Sequence, residues 1–229
     1  MTWLLPTSVY SIWRLDYKLG PDQLSVVDSY PYLGVTISSD LRWHLHVNNI
    51  CLKASRSLNF IRRNIYRCSP DIKSLAYFSL VRPHLEYAAA AWDPCTLQDT
   101  SRLEKVQRRA ARFVRNNYKF TTSVSHLLSQ LSWDQLSERR RITRLTMMYK
   151  AVNGLAALPI DHLSHSTRTT RSASVHTFIN IPCRIDFFKF SFFPRTVLDW
   201  NKLSEVTHLK PSVEAFRQTL FNPAVSPCC

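Results

Sequence analysis

Only 3 glycines punctuate 229 residues. No G-x-S-x-G elbow and no glycine-rich phosphate loop can be built from them, which removes the commonest hydrolase and nucleotide-cradling motifs. Acid is scarce too, and no two Asp or Glu residues are adjacent. Two-metal polymerases and nucleases need clustered carboxylates, because cations about 4 Å apart share ligands. The nearest approaches, Asp93 with Asp99 and Asp199 with Glu205, are separated by positions that do not suggest a shared site. Neither self-contained catalysis nor a cofactor or metal is therefore expected. The 6 cysteines (51, 68, 95, 183, 228 and 229) contain no C-x-x-C, so they read as reduced, with Cys51 and Cys68 as packing residues and Cys228 and Cys229 as a terminus without a role. His44 and His46 stand at i and i+2, point apart on a helix and read as surface imidazoles. No uninterrupted apolar run reaches the roughly 18 residues of a membrane span. The apolar amino terminus "MTWLLPTSVYSIWRLDYKLG" is broken by Pro6 and Arg14 and has no basic region before it. It reads as neither a signal peptide nor an anchor. An intracellular protein, nuclear or cytoplasmic, is expected.

What the chain has in excess is positive charge. There are 30 Lys and Arg against 16 Asp and Glu, a formal net of +14 and a pI near 9.9. Such a surface favours a polyanion, nucleic acid first; an anionic membrane surface and a merely well-solvated basic protein are the alternatives. Apolar residues at 45 % and aromatics at 12 % give enough material for a core and argue against disorder.

Residues 15 to 37 read as short strands forming a small antiparallel sheet: "LDYKL", a turn at Gly20-Pro21-Asp22, then "LSVV" and "YLGVTI". From Asp40, a helix-start signal, Val47, Ile50, Ala54, Leu58, Ile61 and Ile65 recur three or four apart and predict a long helix. Ser69-Pro70 starts the next, with Ile72, Leu75, Ala76, Ser79 and Leu80 as its apolar face. Pro83 ends or kinks it, and "EYAAAAW" resumes. Capping-box spacing at Ser101–Glu104 and Ser132–Gln135 predicts helices over 101–117 and 132–153, the latter closed by Gly154. "LSHSTRTTRSASVHT" reads as linker. "FINIPCRIDFFKFSFFPR" is β-prone, and "VLDWNKL" and "SVEAFRQTL" predict short helices.

The segment 101–117 carries the sharpest charge signal. Leu103, Val106, Ala110, Phe113 and Val114 form one face; Arg102, Lys105, Arg109 and Arg112 cover the other, with Arg108 and Arg115 flanking. Only Glu104 opposes seven bases between 102 and 119. Solvated faces mix signs so that i, i+4 pairs form; this ratio is self-repelling unless a polyanion neutralises it. Lys53, Arg56, Arg62, Arg63 and Arg67 on the first long helix, and Arg139, Arg140, Arg141 and Arg144 on the last, repeat the bias. Three basic helices are expected to line a phosphate-tracking groove.

"YLGVTISSDLRWHLHV", "KASRSLNFIRRN", "LVRPHLEYAAAAWDP", "RLEKVQRRAARFV" and "SFFPRTVLDWNKL", in this order, make the chain resemble the end of the reverse transcriptase of LINE-type, jockey-like non-LTR retrotransposons. The resemblance runs from about Tyr17 to Leu220. It implies that Tyr32, Leu33 and Gly34 match a primer-grip hairpin at the end of a palm and that a helical thumb begins at Asp40. Pro31 and Ser204 depart from the family pattern, standing where lysine and proline are usual. The metal-binding palm motifs are not in these residues, so any divalent metal would belong to the palm.

The expected fold is mainly α with minor β. Residues 1–38 form a palm-like sheet, 39–154 a multi-helix thumb-like bundle, 155–174 a linker and 175–229 an aromatic-rich β/α tail. The expected function is that of a catalytically incomplete carboxy-terminal fragment of an RNA-directed DNA polymerase that still grips template-primer nucleic acid. A host-co-opted nucleic-acid-binding module and a helical protein-interaction domain are the alternatives.

Overall fold

The computed structural model describes residues 18–165 and 176–221. The expectations for the apolar amino terminus, most of the linker and Cys228 with Cys229 lie outside these residues. Two separate hairpins come first, rather than one sheet. Lys18–Leu19 (β1) and Asp22–Gln23 (β2) pair across Gly20-Pro21, with Gly20 at φ 63°. A positive φ followed by proline's fixed negative one is a type II′ turn, matched to strand twist. Ser29–Tyr32 (β3) and Val35–Ser38 (β4) pair in register, Tyr32 opposite Val35 and Tyr30 opposite Ile37. The expected strands are thus corrected. Residues 24–27 form none, and "YLGVTI" is broken at Leu33 and Gly34, whose φ values of 47° and 81° make a two-residue turn.

Helices follow, and the mainly α fold with minor β is what forms: His44–Asn64 (α1), Pro70–Leu80 (α2), Arg82–Glu86 (α3), Ala89–Trp92 (α4), Leu97–Val114 (α5), Val124–Gln130 (α6) and Leu136–Val152 (α7). The bury-one-face pattern of α1 is as expected, with Val47, Ile50, Ala54, Leu58 and Ile61 inside. Asp40 lies ahead of the helix, where its carboxylate accepts the Arg42 N–H at 3.0 Å. Both capping boxes are corrected. Thr96 caps α5 a turn earlier than Ser101, accepting the Asp99 N–H at 3.2 Å. Ser132 ends a helix instead of starting one: its φ is 52°, and Ser132 and Trp133 return their N–H groups to Ser129 and Leu128, a Schellman closure of α6. Gly154 closes α7 as expected, at φ 67°, with Gly154 N–H to Ala151 and Leu155 N–H to Lys150.

The face assigned to α2 is also corrected. Ile72, Leu75 and Leu80 are exposed, whereas Lys73 and Tyr77 are buried. Tyr77 stacks on Trp133 at 4.3 Å between ring centroids and donates to Gln107 of α5 at 3.0 Å, so the ring and its hydroxyl fix the inward face.

In the tail the β-prone run forms no strand; one isolated bridge pairs His165 with Phe178. Pro182 offers no donor, and the aromatics enter Asp186–Lys189 (α8) and Phe192–Trp200 (α9) instead. Pro194 is accommodated in the first turn of α9, where N–H groups lack intrahelical partners anyway. Glu205–His208 (α10), begun at Ser204, and Val213–Phe221 (α11) complete the chain. Asn201 holds the incoming segment by two bonds, accepting Phe178 N–H at 3.0 Å and donating to Phe178 O at 2.8 Å.

Apolar packing divides inside α7. Leu136 belongs to the core built by the β3–β4 hairpin and α1–α6, while Ile142, Leu145, Met148 and Tyr149 belong to a second core with Leu163, Phe178, Trp200, Phe216 and Leu220. No helix among the described residues is long and apolar enough to cross a membrane.

Candidate nucleic-acid interface

Helices α1 and α5 lie side by side in the same direction. Near their starts, His44 Nδ1 meets Asp99 at 2.9 Å and Arg102 reaches His44 Nε2 at 3.1 Å; further along, Arg109 donates to Asn59 at 3.3 Å. With Ala54, Leu58 and Ile61 inward, the opposite side of α1 presents Lys53, Arg56, Phe60 and Arg63 at spacings of three and four, whereas Arg67, expected on this helix, lies exposed in the turn after it, beside the Tyr66 ring. This is one exposed stripe of three cations around an exposed aromatic.

On α5 the expected apolar face is buried, and Lys105, Arg108 and Arg115 are exposed. Glu104 does not sit among them. It is buried and accepts the Ser137 N–H at 2.9 Å, capping the first turn of α7 from a neighbouring helix. Burial raises its pKa, and that backbone bond works against the shift. The basic face of α5 therefore has no solvated acid of its own.

The bases of that face differ in freedom. Arg112 donates to the carbonyls of Asn117, Lys119 and Thr122, which ties down the loop after α5, and Arg115 donates to Gln130 at 3.0 Å. Lys53, Arg56, Lys105 and Arg108 make no hydrogen bond or ion pair to another described residue through their side chains. They are free to meet phosphate. Arg62 and Arg63 stand at the carboxy-terminal end of α1 with Tyr66, and Arg62 lies 5.8 Å from the centroid of the Tyr118 ring.

The third expected basic helix is not part of this surface. Arg139 is held by both oxygens of Glu86, and Arg141 by Glu138 at 2.6 Å. Arg140 and Arg144 are buried: their Nε atoms donate to Asp93 at 2.7 and 2.9 Å, and Arg144 also reaches Asp199 at 3.0 Å. Arg140 and Arg144 thus have no exposed donor and the partly exposed Arg139 and Arg141 are engaged by carboxylates, so the groove expected from three helices has two. The signal was present in the spacing, because Leu136, Arg140, Arg144 and Met148 repeat every fourth residue on one stripe of α7.

The β3–β4 hairpin docks at the start of α1. His46 is buried, which corrects its reading as a surface imidazole, and its Nδ1 accepts the Thr36 N–H at 3.1 Å. Burial, then the nearby Lys53, lowers its pKa to about 4. At the tip, Leu33 O accepts from the Tyr87 hydroxyl at 3.1 Å, and a Cβ on Gly34 would come within 3.2 Å of the same ring. Tyr32 and Leu33 are exposed, Leu33 at 73 %, so an apolar side chain is displayed on a backbone that favours glycine.

Lys73 was missed in the sequence. It occupies the inward stripe Lys73, Tyr77, Val81 and Leu85, each four residues on, and this regularity is what could have revealed it. Among the described residues no group of three or more His, Cys, Asp or Glu could hold a metal ion. Comparison with known proteins gave no matching family model, curated protein or solved structure.

Proposed function

We propose that this region grips nucleic acid by its backbone, in the manner of the thumb of a non-LTR retrotransposon reverse transcriptase, and does not itself polymerise. The observation that carries this is the unopposed positive face of α5 beside the basic, Phe60-centred stripe of α1. Exposed cations without acids repel one another, and phosphates relieve that repulsion while releasing counterions. The exposed Tyr32-Leu33 tip supports the primer-grip part of the reading.

The test is binding of mixed-sequence duplex as a function of salt. In the variant with Lys53, Arg56, Lys105 and Arg108 all changed to Gln, the slope of log affinity against log salt is expected to flatten by roughly three to four units, since each neutralised phosphate contributes about 0.9. All sequences should weaken alike, because backbone contacts carry no base information. Circular dichroism should be unchanged. An unaltered slope with an intact fold would rule the reading out, and primer extension by the purified chain would contradict its non-catalytic part.

A second reading, a helical protein-interaction domain, draws on the outward apolar row Ile72, Leu75 and Leu80 of α2. Unaltered salt dependence together with loss of a protein partner on Leu75→Lys would favour it.

A further inference from the structure

Between the carboxy-terminal ends of α1 and α5 and the first turn of α2 lies a cleft of about 580 Å³. Its cations are Arg62, Arg63 and Lys73, and no carboxylate lines it. Lys73 is the unusual member. It is only 5 % exposed, and its ammonium has no hydrogen bond or ion pair among the described residues; its neighbour is the Phe113 ring, 5.0 Å away. An enclosed charge without a counter-ion is costly. Part of that cost is offset by the ring, while the position of Lys73 in the first turn of α2, at the positive end of that helix, adds to it. The remaining lining supplies two half-exposed phenols, Tyr66 and Tyr118.

We infer that the cleft seats one nucleotide unit: a phosphate against Lys73, Arg62 and Arg63, with its base on Tyr118. The volume lies in the range of small-molecule pockets. Aromatic platforms beside a cationic track are how unpaired nucleotides are held, and stacking tolerates any base. A paired duplex cannot insert a base without opening, so the unit comes either from the unpaired end of a strand or from a free nucleotide. As a site for strand ends, the cleft rests on the nucleic-acid reading above.

The experiment compares a blunt duplex, the same duplex with a two-nucleotide overhang, and AMP. The overhang should bind about tenfold more tightly than the blunt duplex, the scale of one base–aromatic stack. Lys73→Met and Tyr118→Leu should each remove that difference while leaving blunt-duplex affinity and its salt slope in place. Lys73→Met should melt no lower than the wild type, because it removes a buried unpaired charge at nearly constant volume; a residue needed only for the fold would behave oppositely. AMP should compete for the overhang alone. Equal binding of overhang and blunt duplex by the wild type overturns the strand-end assignment and leaves the backbone grip standing. If neither duplex binds, the backbone grip fails, and AMP titration decides the cleft by itself: binding lost in Lys73→Met retains it, and no binding overturns it. Tyr118 is exposed, so its variant keeps the test open if Lys73→Met does not fold.

Discussion

His46 and His208 are closed off from water among aromatic rings, and this makes them sensitive to acid. Trp92 lies 5.0 Å from His46, and Trp200 lies 4.5 Å from His208, centroid to centroid. Burial lowers both pKa values to about 4; Lys53 adds to the effect at His46 and His176 at His208. The Thr36 N–H donates into Nδ1 of His46, so protonating that nitrogen would break the bond that ties the hairpin to α1. An unfolded histidine titrates near 6.5. Between pH 6.5 and 4 the unfolded chain therefore binds more protons, and stability falls as pH falls, in full strength above 6.5 and levelling near 4. At pH 5 the loss should be about 1–2 kcal/mol for each histidine. Urea midpoints at pH 7.5, 6 and 5 measure it. A flat profile would show that these rings accept a proton without leaving their sites. The burial of His46 was legible in the spacing, since it stands four residues before Ile50 and eight before Ala54 on the stripe that α1 turns inward.

At the scale of elements, periodicity gave the faces of α1 and α5 correctly, because in each the unbroken run of apolar residues three and four apart falls on one side, with Leu45, Leu52 and Phe60 of α1 and Leu97 of α5 left outside it. On α2 it failed, because Ile72, Leu75 and Leu80 compete with Tyr77 and Phe78 on different sides, and the aromatic stack on Trp133 decides which goes in. Helix ends were harder. A serine three residues before an acid or amide can start a helix or finish the preceding one, and only the positive φ of Ser132 separates the two. Asn116, at φ 47°, closes α5 by the same device, with Asn117 N–H returning to Arg112. The β3–β4 turn permits a direct test. A left-handed backbone costs an ordinary L-residue about 1–2 kcal/mol, whereas Asn-Gly is the pair this turn type prefers. Leu33→Asn should therefore stabilise the chain by about 0.5–1 kcal/mol, raising its melting temperature by roughly 1–4 °C. The Tyr87 bond goes to a backbone oxygen and should persist. If the temperature drops instead, Leu33 makes packing contacts that outweigh its strain. A gain in stability accompanied by weaker primer-template binding would identify the displayed leucine as a residue kept for contact.

In the whole molecule, the two cores meet at one carboxylate. Asp93, at the end of α4, accepts from Arg140 and Arg144 of α7 and from Arg195 of α9, the last at 3.2 Å. Arg195 also donates to the backbone carbonyl of Asp93 at 3.0 Å, so the tail is joined to the bundle through side chain and main chain together. With Asp199, two carboxylates face three guanidinium groups, and Nη1 of Arg140 has no partner among the described residues. This junction was not legible in the sequence. Its members are 47, 51 and 102 residues apart, and three consecutive arginines at 139–141 read most simply as a solvated basic run. Its charge makes it fragile. Asp93→Asn keeps the shape but turns a shared acceptor partly into a donor facing three other donors. Breaking a buried pair in this way costs about 3–5 kcal/mol, because it leaves uncompensated charge inside. For a chain of this size that lowers the melting temperature by about 10 °C. Since Arg195 is the tail's link to the bundle, the second core should open first: amides around Val197 and Phe216 should lose hydrogen-exchange protection before those around Val106 and Ala110. Removing an arginine partner instead relieves part of the excess positive charge, so Arg195→Met should cost less than Asp93→Asn. If Asp93→Asn shifts the melting temperature by less than a few degrees, or both cores lose protection together, the carboxylate is not what fastens the tail to the bundle.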